Sequence, residues 1–340
     1  MLGLAVVLSA LASIYVPHVQ RATFVYEDAS LLTAGGGFPG WRAVMTRGRG
    51  LTRESWRHIR TPQASHALNL VLHLLVSLLA GVLIWQVTGW VYFGLSVAAI
   101  VVLHPLAIET VAYAASRAEL IAACGGLLAL VGLTARAPIA AALIPVGLLI
   151  AYTGKETGLV ALGLMPLVLW LAGARRQARQ LLWAALGAMV LFVGAGTAHV
   201  GGLLALGETT RVRLDATSWL LMQAEAVYRL VVLSVAPFWL SVSPNITRPS
   251  WAGVAALILL AGLLDVAWRC RMRAPMCFAG IVWCAVVAAP RFLIRTPLSP
   301  FNEHQWYLAL PGVALVLVAG IDALALAAEA WLDQYDWEMA

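Results

Sequence analysis

Apolar residues run along this chain in long blocks, separated by short polar turns and by one polar stretch from Pro17 to Ser65. The blocks fall at about 1–16, 67–87, 89–104, 118–135, 138–152, 158–173, 181–203, 217–240, 251–268, 275–289 and 306–328. A helix that crosses a bilayer needs about 20 apolar residues, and segments near that length follow one another almost end to end. The pattern predicts an all-α polytopic integral membrane protein with about ten to eleven transmembrane segments. It predicts one domain over 1–340, with 17–65 as a long first extracytoplasmic loop and no soluble C-terminal domain. Tryptophans cluster near block ends, at Trp85, Trp90, Trp170, Trp183, Trp251, Trp268 and Trp306, as in the aromatic belt of a bilayer protein.

Composition sharpens this. The chain is 62% hydrophobic and 11% charged, with mean hydropathy +0.87, which places it outside the soluble globular class. The net charge is +6, and Lys155 is the only lysine among the 22 cations. A GC-rich genome is the plain reading of that bias. The chemical reading is that arginine grips phosphate bidentately where lysine acts as a point charge. Basic charge in such a chain meets anionic head groups or a lipid phosphate, and no nucleic-acid motif is present. Cys124, Cys270, Cys277 and Cys284 have no metal-type spacing and read as buried structural thiols. Leu2–Val16 lacks a basic leader and a cleavage site, so it reads as a retained first span.

The densest short basic loops, Arg175-Arg176 with Arg179 and Arg269 with Arg271 and Arg273, belong in the cytoplasm by the positive-inside rule. Three apolar blocks lie between them, so one of the three does not cross. The block 217–240 is the choice, because Glu225 and Arg229 form an i,i+4 pair on one helix face. Counting back six crossings places the N-terminus inside and the 17–65 loop outside. That loop carries Arg21, Arg42, Arg47, Arg49, Arg53, Arg57 and Arg60, a count that favours the inverse orientation, although long loops translocate largely regardless of charge.

On that placement the polar signal gathers on the non-cytoplasmic face. Glu27 and Asp28 form an acidic pair just past the first block, suited to taking a proton from an acceptor hydroxyl or to a plainer role in a solvated loop. His66, Asn69 and His73 share one helix face. They suit interhelical hydrogen bonds or substrate contact and make a poor zinc site. Pro105 ends a helix after His104. Beyond it Arg117 lies between Glu109 and Glu119, as a structural clamp or a phosphate ligand. Lys155-Glu156 interrupts an apolar run, either as a self-neutralising pair or as a cation for a leaving phosphate. Asn302, Glu303 and His304 precede the last block, with Arg291 and Arg295 nearby.

In order, the motifs are the acidic pair, RGLT (49–52), HALNLVLHLL (66–75), LHPLAIETVAYAASRAEL (103–120), GKETGLVAL (154–162), WLLMQ…LSV (219–242) and NEHQWYLALPG (302–312). This series resembles the GT-C glycosyltransferases related to the transmembrane-and-TPR O-mannosyltransferases and their bacterial cousins. The resemblance spans most of the chain. It implies transfer of a sugar from a polyprenyl-phosphate donor to a protein or glycan hydroxyl on the outer face of a bacterial cytoplasmic (inner) membrane. It maps the base onto Glu27 or Asp28, and maps family positions onto Arg117, Glu119, Lys155, Glu156, Asn302, Glu303 and His304. Ser243 stands where the family has an acid, and Gln305 where it has an arginine. No TPR tail is expected, so acceptor recognition would fall to the membrane part or to a partner subunit. A divalent cation (Mg or Mn) would be compatible, but no ligand set demands one. The rival readings are a non-catalytic scaffold subunit and a lipid-linked substrate transporter or flippase.

Overall fold

The computed structural model describes residues 13–17, 19–24, 49–173, 215–238, 240, 250–293 and 303–338. Among these every regular element is helical. The helices are α1 (Gly50–His58), α2 (Pro62–Thr88), α3 (Val91–Leu103), α4 (Ala107–Ala112), α5 (Arg117–Thr134) and α6 (Ala137–Gly154). They continue with α7 (Val160–Leu171), α8 (Ala216–Val235), α9 (Trp251–Cys270), α10 (Pro275–Leu293) and α11 (Leu310–Glu338). Single 3-10 turns at Ala114–Ser116, Glu156–Leu159 and Glu303–Ala309 lead into α5, α7 and α11.

Among the described residues six helical stretches are long and apolar enough to cross a membrane: Pro62–Thr88, Ala114–Thr134, Ala216–Val235, Trp251–Cys270, Pro275–Phe292 and Glu303–Leu332. Val91–Leu103, Pro138–Gly154 and Glu156–Leu171 are apolar but shorter. The 13 residues of α3 reach about 20 Å at 1.5 Å per residue. The chain is a multi-pass, all-α membrane protein. The blocks 1–16 and 181–203 lie wholly or largely outside the described residues.

Local chemistry sets the ends. Thr61 caps α2 by accepting from the Ala64 N–H, with Pro62 in the first turn, where a missing N–H costs nothing. Gly89 closes α2 in the left-handed region. α3 stops at an extended His104, the conformation that Pro105 imposes on the residue before it. Asp215 caps α8 by accepting from the Ser218 N–H at 2.8 Å.

Lipid tails are as apolar as leucine, so close packing and hydrogen bonds hold such helices together. α5 is the central post, its spanning window 89% buried, whereas that of α9 is 17% buried and faces outward. Small residues bring α5 against α6. A Cβ at Gly125 would stand 2.2 Å from the Ala151 nitrogen, and one at Gly147 2.5 Å from the Ala129 nitrogen.

The aromatic belt holds at Trp85, Trp90, Trp170, Trp251 and Trp268, all exposed, but Trp306 is buried. Its indole N–H is taken up inside the bundle, as described below, so its place near a block end does not bring it to the lipid. Trp183 lies outside the described residues. Among the thiols Cys124 is buried, but Cys270 is exposed. It is the last residue of α9.

Candidate functional site

Alternating helices bring their polar ends to one end of the bundle. α2, α5, α9 and α11 start there, and α3, α6 and α10 finish there. The far end is marked by Trp170 at the end of α7 and Trp268 at the end of α9, both packed on Phe278 at the start of α10. α8 belongs to the polar end along its whole length. Its Trp219 indole donates to the Arg291 carbonyl at 3.0 Å, its Glu225 accepts from Ser250 just before α9 at 2.7 Å, and its Ser234 carbonyl accepts from His104 Nε2 at 3.0 Å. The helix therefore runs along the ends of its neighbours, although its length and composition would let it cross. The Glu225–Arg229 pair forms at 2.5 Å.

Arg117 is fully buried at the start of α5. Its Nε donates to Asn69 Oδ1 at 3.1 Å and its Nη1 to Ser55 Oγ at 3.1 Å. Its Nη2 donates to the Ser65 carbonyl and hydroxyl, and the guanidinium lies 4.4 Å from the Trp56 ring centre. The carboxylates that bracket it in sequence take other partners: Glu119 pairs with Lys155, and Glu109 pairs with His304. Glu156 does not pair with its neighbour in sequence; it accepts a bidentate fork from Arg49, at 2.7 and 3.2 Å. Burial by itself would raise the Glu156 carboxyl, but the hydrogen bonds and charge of Arg49 outweigh it and hold its pKa at about 2. Arg49 is in the left-handed region at φ 63°, and Thr52 donates to the Gly154 carbonyl at 2.8 Å. Together these clasp α1 to the α6–α7 turn.

The turn Glu303–Ala309 is bound to four elements, α2, α4, α8 and α10. The His304 backbone N–H donates to Glu109 Oε2 at 2.9 Å, and its Nδ1 meets Oε1 at 2.9 Å, so α4 caps this turn. Gln305 accepts from Arg291 of α10 at 2.5 Å. The Trp306 indole donates to Ser234 Oγ of α8 at 3.1 Å. The Tyr307 hydroxyl meets His73 Nδ1 of α2 at 2.6 Å, while His73 Nε2 faces the Val102 carbonyl at 3.1 Å. A carbonyl only accepts, so Nε2 carries the proton and Nδ1 accepts from tyrosine. The Leu308 carbonyl accepts from the Trp283 indole at 2.8 Å. Glu303 is buried beside them.

Of the residues singled out by sequence, His66, Asn69, His73, His104, Glu109, Arg117, Glu119, Lys155, Glu156, Arg291, Glu303 and His304 lie within the described residues, in the helices and turns of this end. Glu27, Asp28, Arg295 and Asn302 lie outside the described residues. Asn69 also donates to the Val111 and Tyr113 carbonyls, and so ties α2 to the turn after α4. Arg49, Ser55, Trp56, Ser234, Trp306 and Tyr307 were not singled out for the site. RGLT carried a signal for Arg49, whereas the others read as ordinary loop or core. Among the described residues no three of His, Cys, Asp and Glu converge as metal ligands.

Below α8 an apolar cavity of about 470 Å³ lies between α8, α9, α10 and α11. Val231, Leu260, Ala285 and Val316 are among its walls, and Ser234, Phe292 and Trp306 line it where it meets the polar end. Phe292 and Trp306 directly follow the hydrogen-bonded pair Arg291 and Gln305. The arrangement can seat an apolar chain. Comparison with protein-family models, curated proteins and solved structures finds no match for this chain.

Proposed function

We propose that the protein is a GT-C-type glycosyltransferase that moves a sugar from a polyprenyl-phosphate donor to a hydroxyl acceptor on a protein or envelope glycan. The observation that carries this reading is an apolar cavity between four helices that reaches, at Ser234, Phe292 and Trp306, the end of the bundle that also holds Arg291, Lys155 and Arg49. An apolar chain in that cavity with an anionic head at the cationic end of the bundle is what such a donor would require. In the proposed reaction Asp28 or Glu27 takes the acceptor hydroxyl proton, and the oxygen attacks the anomeric carbon. The bond to the donor phosphate oxygen breaks, leaving polyprenyl phosphate and an inverted glycoside. Stabilising the negative charge that grows on the leaving phosphate is the task that suits arginine and lysine. The reading includes ten to eleven crossings, a bacterial cytoplasmic membrane and a polar end on its outer face.

The test is Glu27→Gln and Asp28→Asn, each alone, with mass spectrometry of envelope glycans and glycoproteins from cells carrying each form. Loss of one glycan or glycosylation in at least one variant, with the protein still folded in the membrane, is the expected result. An unchanged profile in both would sink the enzyme reading. A second reading, a non-catalytic scaffold, draws on the internal engagement of Arg117, Lys155, Glu119, Glu109 and Glu156. It expects no glycan change even when the whole chain is absent.

A further inference from the structure

α11 runs on past the rest of the bundle. A Cβ at Gly280 of α10 would stand 2.5 Å from the Gly312 carbonyl oxygen, which fixes the relative level of these two antiparallel helices. α10 begins five residues before Gly280, at Pro275, so its start and the basic turn before it lie level with about residues 317–321 of α11. From 303 to 321 the chain already rises by about 30 Å, the thickness of the hydrocarbon core. Asp322 follows at once, yet the helix continues to Glu338. A Cβ at Gly320 would meet nothing, and every residue from 321 to 332 is exposed. Leu324 is 72% exposed and Trp331 56%, both beyond the level of the lipid.

This stretch carries a seam. Ile321, Leu324, Ala328 and Trp331 recur at spacings of three, four and three, and Tyr335 continues the spacing in the sequence. That is the spacing of the a and d positions of a coiled coil. On the same heptad the flanking e and g positions hold Ala325, Ala327 and Leu332, none of them charged. Asp322 and Glu329 stand at b, on the outer face, with Leu326 as the one large apolar residue beside them. Charges at e and g select a foreign partner, whereas neutral flanks let two identical helices meet. No lysine or arginine follows Arg295, so self-pairing has to keep the acids off the seam, as this arrangement does.

We propose that α11 beyond Ile321 pairs with the same segment of a second copy of this chain, as a short parallel coiled coil on the membrane face that carries the basic turn. Two copies inserted in one bilayer with the same topology emerge side by side and in register, so each seam residue meets its own counterpart. An isolated helix of this length is marginal in water, and the pairing supplies the apolar contact that the bundle does not. The inference is independent of the sugar-transfer reading.

The test is oxidative cross-linking of the full-length protein in native membranes opened by sonication, in a Cys270→Ser background. Leu324→Cys and Ala328→Cys place a thiol on the seam, and Leu326→Cys and Glu329→Cys place one on the outer face. A non-reducing gel is expected to show a disulfide-linked dimer for both seam variants and monomer for both outer ones. Adding Leu324→Glu to Ala328→Cys should remove the dimer, and adding Leu326→Glu should leave it. Equal dimer yields at seam and outer positions, or none at any, overturn the inference. A seam thiol that links to a different protein in place of its own copy overturns it too. So does failure of a membrane-impermeant maleimide to reach the two outer thiols, which would put lipid around this stretch. Native mass spectrometry of wild type in micelles asks the same question without a substitution: a dimer is expected, and a monomer at every concentration overturns the inference.

Discussion

At the scale of single residues, the polar end shows how a cation is kept in an apolar bundle. Arg117 has no water to fall back on, and its fork is met by Asn69, Ser55 and Ser65, with Trp56 beneath it. Lysine carries the same charge, but its donors sit on one compact nitrogen that cannot span partners set around a planar fork or stack as a plane. Arg117→Lys should therefore lower stability by about 3 kcal/mol, the cost of leaving part of a buried charge network unmet. Arg273→Lys, at an exposed turn, should leave the thermal midpoint in micelles unchanged, and equal midpoints for the two variants would refute the need for a planar fork at Arg117. The Arg49–Glu156 clasp is weaker, because the Arg49 side chain is 46% exposed. Arg49→Gln should cost about 1 kcal/mol. The Glu156 pKa is depressed from 4.5 to about 2, so its contribution is complete above 4.5 and drains away as the pH falls towards 2. The midpoint gap between wild type and Arg49→Gln should stay constant from pH 8 to about 5 and close below that. A gap that persists at pH 2 would mean that the ion pair is not its source.

At the scale of elements, close packing does what hydrophobic burial does in a soluble core. The Gly125–Gly147 approach lets the backbones of α5 and α6 touch, and a Cβ at Gly125 would meet the Ala151 nitrogen, which cannot swing aside. Gly125→Ala should destabilise by about 1–3 kcal/mol through forced separation of the helices. Gly262→Ala on α9, where a Cβ meets nothing, should be neutral or slightly stabilising, since alanine favours the helix. Thermal unfolding of both variants checks this, and comparable losses would refute it. The elements themselves were legible in the chain. The blocks at 67–87, 118–135 and 251–268 became α2, α5 and α9, because an unbroken apolar run between polar turns leaves few alternatives in a bilayer. The break at Pro105 was equally legible, since the clash it creates is local. Partners were not. Arg117 between Glu109 and Glu119 suggested a clamp, and Lys155 beside Glu156 a self-contained pair, yet Glu119 joins Lys155 and Glu156 reaches back to Arg49 across 107 positions. Sequence proximity says little about side chains that point to different faces of a helix end. Trp306 misled for a related reason: being near a block end places a tryptophan in depth but does not say whether it faces lipid or a neighbouring helix.

At the scale of the whole molecule, the polarity of the two ends is the property from which orientation follows. One end collects Arg117, bonded to neutral partners, with the pairs Lys155–Glu119, Arg49–Glu156 and His304–Glu109. The other presents the exposed turn with Arg269, Arg271 and Arg273, where Arg271 stacks 4.2 Å over Trp268 and Arg269 pairs with Asp265. Exposed arginines at a short turn beside an interfacial tryptophan are the kind of charge that the cytoplasmic leaflet retains. The chain supplies its own probe, because Cys270 is exposed in that turn while Cys124 is buried and Cys277 and Cys284 are half-buried. A membrane-impermeant maleimide should label Cys270 in inverted vesicles and leave it untouched in intact spheroplasts. In a Cys270→Ser background, His58→Cys, at a side chain 76% exposed on α1, should show the opposite sidedness. Labelling of both from the same face would contradict the alternation of helices about the polar end. Reversal of both would keep the bundle and move the polar end to the cytoplasm, so that any sugar donor would have to be presented from inside.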